Sequence, residues 1–131
     1  MKLLLDTHTL LWTIGKTDEL PEKVIREIKS SSNDVLVSAV SLWKIALKHS
    51  IGKLLIDFDP LKIPEYCEIM GFELIPLSPA EALNSLRLPQ KSHKDPFDRM
   101  LIYQCIRNNY TLVSKDDKIE IYKNEGLNYL W

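Results

Sequence analysis

Short apolar runs alternate along this chain with longer segments in which apolar residues recur at helical spacing. Four of the short runs are continuously apolar, a pattern typical of strands that are covered on both faces of a sheet. A fifth run, near the end of the chain, is a further strand candidate. The predicted strands cover residues 2–5, 35–38, 72–77, 111–114 and 127–130.

Several segments between these runs carry the start and stop signals of helices. A capping box begins at Ser78, because Glu81 follows three residues later and Pro79 occupies the first helical position. In the other segments, proline indicates helix starts and glycine indicates helix ends. Predicted helices begin at Pro21, after Ser41, at Pro64, at Pro79 and at Pro96; the second ends near Gly52 and the third at Met70.

The alternation of strands with helices predicts a fold of the α/β class. The pattern is typical of βαβ units, in which a parallel sheet carries helices on both faces. The chain has 131 residues, the length of one compact domain. Residues 1–131 are therefore expected to form a single domain.

Composition and charge narrow the class of protein. Hydrophobic residues make up 45% of the chain and charged residues 27%, which is ordinary for a globular protein and argues against disorder. The chain has 17 Lys and Arg against 18 Asp and Glu, a formal net charge of −1. This balance excludes a strongly basic protein that wraps nucleic acid mainly by charge, but it is compatible with a local basic surface.

The cysteines and histidines do not form a metal-binding pattern. Cys67 and Cys105 are the only cysteines, neither lies in a CxxC motif, and the three histidines are scattered. We predict two free buried thiols in a reducing cytoplasm, with a disulfide between them as the alternative. No signal peptide is expected, and no run reaches the roughly 18 apolar residues of a membrane span. A cytoplasmic protein is expected.

Three aspartates are predicted to meet at one edge of the sheet. Asp6 ends the first strand, Asp116 follows the fourth, and Asp98 heads the buried stripe of the last predicted helix. Ligands bind beyond the carboxyl ends of parallel strands, which is where these residues are expected. Clustered carboxylates repel one another, and a hard divalent cation with oxygen ligands would compensate that repulsion. Mg²⁺ or Mn²⁺ held in this way activates water and stabilises a phosphoryl oxyanion.

Each aspartate also has an ordinary structural explanation. Asp6 can cap the helix that follows it, and Asp98 in a first helical turn is favoured by the helix dipole. Asp116 and Asp117 are typical turn or N-cap residues. That all three aspartates are expected at the same edge of the sheet favours a functional site. Turns and helix caps alone do not require an aspartate at that edge in three separate segments.

Other kinds of site are less well supported. The four glycines form neither GxGxxG nor a P-loop, and no GxSxG is present. A receiver-like signalling domain has a similar size, sheet and acidic pocket, but such domains usually carry a pair of acids near the first strand. Here only Asp6 is present.

At these residues the sequence resembles PIN-domain proteins, specifically the VapC-like toxins of bacterial toxin–antitoxin pairs. The most specific match is the segment DPFDR at residues 95–99, together with DTHTLLW at residues 6–12. The matching segments follow one another in family order over nearly the whole chain. They cover residues 3–12, 38–46, 51–54, 71–72, 93–102 and 112–116.

The resemblance implies a three-layer α/β/α domain whose central, mostly parallel sheet has four or five strands. It implies an Mg²⁺- or Mn²⁺-dependent ribonuclease that hydrolyses RNA phosphodiester bonds, a cognate antitoxin that blocks the site, and a homodimer. Asp6, Asp98 and Asp116 match three of the family's four acidic residues and are the implied catalytic metal ligands. Asp95 matches the additional aspartate of the DPFD form, and Ser114 matches the hydroxyl residue of the last motif.

One residue departs from the family pattern. The position after Leu42-Trp43 is normally glutamate in this branch, and here it is Lys44. A glutamate at this position would be a ligand of a nearby divalent cation, whereas the positive charge of Lys44 repels such a cation. Three consequences are open: the three aspartates bind a metal weakly; Lys44 fills a vacated metal position and pairs with a carboxylate or a substrate phosphate; or the protein has lost nuclease activity and only binds RNA or a partner.

Local basic residues favour an RNA partner more than the total charge does. Lys94 and Arg99 flank the DPFD segment and are predicted to contact the phosphate backbone, which positions a strand without reading its sequence. The alternative is that such residues belong to a solvated helix face.

Overall fold

A five-stranded, entirely parallel sheet organises this computed structural model, which describes residues 1–89 and 95–131. The spatial order of the strands is β3-β2-β1-β4-β5. In the register, Leu4 lies between Leu36 on one side and Leu112 on the other. The strands are β1 (Lys2–Leu5), β2 (Asp34–Ser38), β3 (Glu73–Ile75), β4 (Thr111–Val113) and β5 (Asn128–Leu130).

The strand order changes direction once, between β1 and β4. The chain proceeds from β1 through β2 to β3 on one side of the sheet, and β4 and β5 then extend the other side. In open parallel sheets, the carboxyl ends of two strands at such a reversal diverge and leave a crevice. The sheet therefore provides one preferred position for a ligand, beyond the ends of β1 and β4.

Helices cover both faces of the sheet. The α-helices are α1 (Thr7–Gly15), α2 (Glu22–Lys29), α3 (Ala39–Ser50), α4 (Ile63–Met70), α5 (Pro79–Asn84) and α6 (Pro96–Asn108). Short 3-10 helices span Thr17–Glu19, Pro60–Lys62, Ser85–Arg87 and Asp117–Glu125. In the described residues, no helix combines the length and the apolar character that crossing a bilayer requires.

Two separate hydrophobic cores lie on the two faces of the sheet. Successive side chains of a strand point to opposite faces, so Leu3 and Leu5 enter one core, while Leu4 enters the other. The first core includes Val24 of α2, and the second includes Ile102 of α6. This arrangement confirms the predicted three-layer α/β/α architecture.

The two cysteines belong to different cores. Cys67 packs in the core with Leu3 and Leu5, whereas Cys105 packs with Leu4 across the sheet. Both are free and buried, as predicted, and the disulfide alternative is therefore wrong. Burial raises the pKa of both thiols, so both favour the neutral, unreactive form.

Helix α3 and strand β3 differ most from the sequence-based predictions. Helix α3 begins at Ala39 rather than after Ser41, because the Ser38 hydroxyl accepts a hydrogen bond from the Val40 N–H at 3.1 Å and caps the helix directly after β2. Strand β3 is shorter than predicted and is not covered on both faces. It lies at the sheet edge, and Glu73 and Leu74 are exposed.

The capping box of α5 forms as predicted. The Glu81 N–H donates to the Ser78 hydroxyl at 3.1 Å, and the Ser78 N–H donates to Glu81 Oε1 at 2.9 Å. Asn108 of α6 donates to Glu81 Oε2 at 3.1 Å, which ties the two helices together. Burial alone would raise the pKa of Glu81, but the hydrogen bonds from Ser78, Asn108 and Gln104 outweigh it and hold the pKa below its ordinary value.

We expect this carboxylate to make the fold acid-sensitive. Because the pKa of Glu81 is lower in the folded protein, its stabilisation is present above the ordinary value of 4.5 and is lost as the pH falls through the folded value. The difference in free energy of unfolding between wild type and Glu81→Gln should shrink by about 1 kcal/mol between pH 7 and pH 3. Urea unfolding across this range measures it. Glu120→Gln, at an exposed acid, is the control, and a constant difference for Glu81→Gln would contradict the expectation.

Candidate functional site

A cleft of about 320 Å³ lies beyond the carboxyl ends of β1 and β4, at the reversal of strand order. Leu101, Ile102, Leu112 and Ile119 form its apolar wall. The three aspartates predicted to meet at this edge all line it, although they come from distant segments. The polar lining consists of Asp6, His8, Asp98, Ser114, Asp116 and Lys118.

Asp6 is held in place by the junction between β1 and α1. Its N–H donates to the Val113 carbonyl at 3.1 Å, which continues the pairing of β1 with β4. Its Oδ1 accepts a hydrogen bond from the Thr9 N–H at 2.8 Å and so caps α1. Thr9 in turn donates its hydroxyl to the Val113 carbonyl at 3.0 Å. Asp6 is thus both the helix cap and a wall of the cleft, so the structural explanation and the functional one are compatible.

The other strand end positions Asp116 in a similar way. The Asp116 N–H donates to the Ser114 hydroxyl at 3.1 Å, and Asp116 Oδ1 accepts from the Lys118 N–H at 3.0 Å. This second bond caps the 3-10 helix Asp117–Glu125, which has no counterpart among the predicted elements. Ser114 is buried and orients the turn that carries Asp116.

Asp95 and Asp98 occupy the start of α6. Asp95 Oδ1 accepts hydrogen bonds from the N–H groups of Phe97 at 2.8 Å and Asp98 at 3.2 Å, which makes Asp95 the N-cap. Asp98 lines the cleft, whereas Asp95 is not among the described residues that line it. Asp95 therefore orients the first turn of α6, and Asp98 is the carboxylate that this turn presents to the cleft.

Lys44 forms an ion pair with both of these aspartates. Its ammonium lies 3.0 Å from Asp95 Oδ2 and 3.5 Å from Asp98 Oδ1, and the residue is only 6% exposed. Burial alone would lower the pKa of Lys44, but the charges of Asp98 and Asp95 and the hydrogen bonds to them outweigh it and raise the pKa. Likewise, burial alone would raise the pKa of Asp95, but Lys44 and the backbone N–H groups of Asp98 and Phe97 hold it below its ordinary value. Two pairings were predicted for Lys44, with a carboxylate or with a substrate phosphate. The structure contains the first of them.

The donor set of the cleft suits a hard divalent cation. Asp6, Asp98 and Asp116 offer carboxylate oxygens, the ligands preferred by Mg²⁺ and Mn²⁺. Within residues 1–89 and 95–131, no three His, Cys, Asp or Glu side chains are arranged as a closed metal cluster. The residues therefore fit such an ion by donor chemistry and by sharing one cleft, and the carboxylates would have to converge to surround it.

The predicted RNA-binding role of Arg99 is not supported by its position. The residue is only 8% exposed, and its guanidinium donates to the carbonyls of Leu88 at 2.7 Å and Pro89 at 3.2 Å. It also lies 3.3 Å from the Tyr122 hydroxyl. Through these bonds the guanidinium holds residues 88–89 to α6. A guanidinium buried in this way is not presented to a phosphate backbone. Lys94, the other predicted RNA contact, lies outside the described residues.

His8 and Lys118 are cleft residues that the sequence analysis did not identify. Each follows a cleft aspartate by two positions, His8 after Asp6 and Lys118 after Asp116, and both are exposed. That spacing, in the first turn of a helix after a strand, is the signal that could have identified them. Both add basic side chains to an otherwise acidic cleft.

Comparisons with known proteins agree with this fold. A family model described as the PIN domain matches residues 3–125. The chain is similar to Ribonuclease VapC22 of Mycobacterium tuberculosis, with 21% identity over 98% of both chains. Among solved structures, it resembles a chain of VapBC2 from Rickettsia felis bound to a promoter DNA fragment, with a TM-score of 0.69, 17% identity and coverage of 99% and 98% of the two chains. It also resembles a chain of VapBC-1 from nontypeable Haemophilus influenzae, with a TM-score of 0.64, 12% identity and coverage of 99% and 97%.

Proposed function

The chain belongs to the PIN domain family, and from this premise we propose that it is a divalent-metal-dependent endoribonuclease, a toxin restrained by a cognate antitoxin. One observation carries the proposal: three carboxylates from three distant segments line a single cleft at the reversal of strand order. The similarity to a protein named as a ribonuclease supports RNA as the substrate.

The residues of the cleft have distinct roles in this proposal. Asp6, Asp98 and Asp116 would hold Mg²⁺ or Mn²⁺, and such an ion, when bound, supplies an activated water and stabilises charge on a phosphoryl oxygen. Ser114 holds the turn that carries Asp116. Lys118, at the same cleft, carries the positive charge suited to a non-bridging phosphate oxygen.

The wider assignment follows from the same resemblance. The structurally similar chains occur in complexes named VapBC, which supports an antitoxin as the protein partner. We further propose that residues 1–131 form one domain, that the protein acts in the cytoplasm as a homodimer, and that Lys94 contacts the phosphate backbone of the RNA.

The test of the proposal is RNA cleavage by purified protein. With structured RNA, we expect endonucleolytic products in Mg²⁺ or Mn²⁺ and at least about 100-fold slower cleavage in EDTA, because the carboxylates alone cannot activate water. Re-addition of the metal should restore the rate. Equal cleavage with and without metal would indicate a contaminating nuclease or a metal-free mechanism and would contradict the proposal.

A second candidate function is a catalytically silent module that binds RNA or a partner protein. It is favoured by one observation: the Lys44 ammonium forms ion pairs with the carboxylates of Asp95 and Asp98. If this candidate is correct, wild type is inactive in the same assay and Lys44→Glu creates metal-dependent cleavage. Strong cleavage by wild type rules it out.

A further inference from the structure

The contacts of Lys44 join two helices behind the proposed metal ligands. Lys44 lies in α3, and both of its partners lie at the start of α6. Asp95 is fixed by its capping bonds, so its second oxygen is held toward the ammonium. Asp98 contacts Lys44 and also lines the cleft with Asp6 and Asp116. One carboxylate therefore connects the ammonium to the cleft.

The burial of Lys44 argues against direct contact with RNA. The residue is 6% exposed and is not among the described residues that line the cleft. A phosphate that paired with this ammonium would have to displace two carboxylates. The structure therefore favours pairing with carboxylates over pairing with a substrate phosphate.

Formal charges limit how many divalent ions the centre can hold. The formal charges of the centre are those of four carboxylates and two ammonium groups, from Asp6, Asp95, Asp98, Asp116, Lys44 and Lys118. One divalent cation makes this set neutral, whereas two would leave it with two positive charges beside a buried ammonium. A second divalent cation would be repelled both by the first and by this largely buried ammonium.

We propose that the Lys44 ammonium is a built-in cation that takes the place of one metal ion, so that this centre binds a single divalent cation. Lys44 is then a positioning residue, because it acts on the reaction through the orientation of Asp98. The inference rests on the proposed function only in assuming that the cleft binds a divalent cation.

Counting bound Mn²⁺ tests the inference without any activity assay. The signal of free Mn²⁺ in electron paramagnetic resonance gives the number of ions bound per chain. We expect one in wild type. In Lys44→Glu, the ammonium is replaced by a further carboxylate, so we expect either a second ion or at least a 10-fold increase in Mn²⁺ affinity. The matched control is Lys48→Glu, which makes the same charge change at an exposed position one turn later in α3.

Thermal unfolding provides a second readout. In EDTA, Lys44→Glu should unfold at a lower temperature than Lys48→Glu, because three carboxylates then face one another without a cation. Mn²⁺ should raise its unfolding temperature more than that of wild type. If Lys44→Glu does not fold, Mn²⁺ binding is measured with Lys44→Gln, which only removes the charge. This variant should bind Mn²⁺ more tightly than wild type.

The outcomes separate this inference from the proposed function. Two ions in wild type, or Mn²⁺ binding by Lys44→Glu and Lys44→Gln that matches the Lys48→Glu control, would overturn the inference even if wild type cleaves RNA. One tightly bound ion in a protein that cleaves no RNA would uphold the inference and contradict the ribonuclease proposal. Failure of wild type to bind Mn²⁺ would overturn both.

Discussion

Asp6→Asn is expected to reduce metal-dependent RNA cleavage by at least about 100-fold while changing the free energy of unfolding by less than about 0.5 kcal/mol. The large effect follows because the substitution removes a negative charge and a carboxylate oxygen from the proposed metal site. The small effect follows from the other role of Asp6, which is to cap α1 through its bond with the Thr9 N–H. Asparagine caps helices about as well as aspartate, so this bond can be kept.

The experiment compares cleavage rates and urea unfolding of wild type and Asp6→Asn. Asp59→Asn is the matched control: Asp59 also caps a short helix, by accepting from the Leu61 N–H at 3.0 Å, but it is not a residue of the cleft. The control should leave both quantities unchanged. If Asp6→Asn cleaves RNA at the wild-type rate in the same metal, Asp6 is only a cap and the nuclease assignment fails.

The position of the site was predictable because it depends on local features of the chain. Asp6 follows an apolar strand and Asp116 follows another, and parallel strands bring their carboxyl ends to one edge of the sheet. The proline and aspartate at the start of α6 likewise indicated where that helix begins. Each of these inferences needs only a strand, a turn or a helix start, and all of these have strong sequence signals.

What could not be predicted depends on contacts between distant segments. Lys44 has the wrong charge for its family position, and the sequence shows that much. That its ammonium reaches Asp95 and Asp98, more than 50 residues later, depends on how α3 and α6 pack against each other. The edge position of β3 could not be predicted either, because an apolar run does not show whether a strand has one neighbour or two.

Arg99 illustrates the same limit, because its position does not support the RNA contact that the sequence predicts. A basic residue beside a predicted acidic site suggests a phosphate contact when only the sequence is considered. In the fold, Tyr122 of the 3-10 helix Asp117–Glu125 and the carbonyls of Leu88 and Pro89 surround its guanidinium. Because that 3-10 helix was not predicted, the sequence could not identify Tyr122 as a partner of Arg99.

Arg99→Met is therefore expected to destabilise the fold by about 3 kcal/mol. Methionine replaces the aliphatic part of the side chain but provides no donors. The buried carbonyl of Leu88 therefore loses its bond at 2.7 Å, and the half-buried carbonyl of Pro89 loses its bond at 3.2 Å. Urea unfolding measures the loss. Arg107→Met, at an exposed arginine of the same helix, is the control and should change the free energy of unfolding by less than about 0.5 kcal/mol.

RNA affinity distinguishes this structural role from the role first predicted. The affinity is best measured in the Asp6→Asn background, where the bound RNA stays intact. If Arg99 holds the loop to α6, Arg99→Met lowers stability strongly, and the protein that remains folded binds RNA nearly as well as the background does. If Arg99 also contacts phosphate in the complex, affinity falls and the dependence of affinity on salt weakens by the equivalent of one phosphate contact. The second result would mean that the guanidinium leaves its buried partners for RNA, and it would support the RNA contact that the sequence predicts.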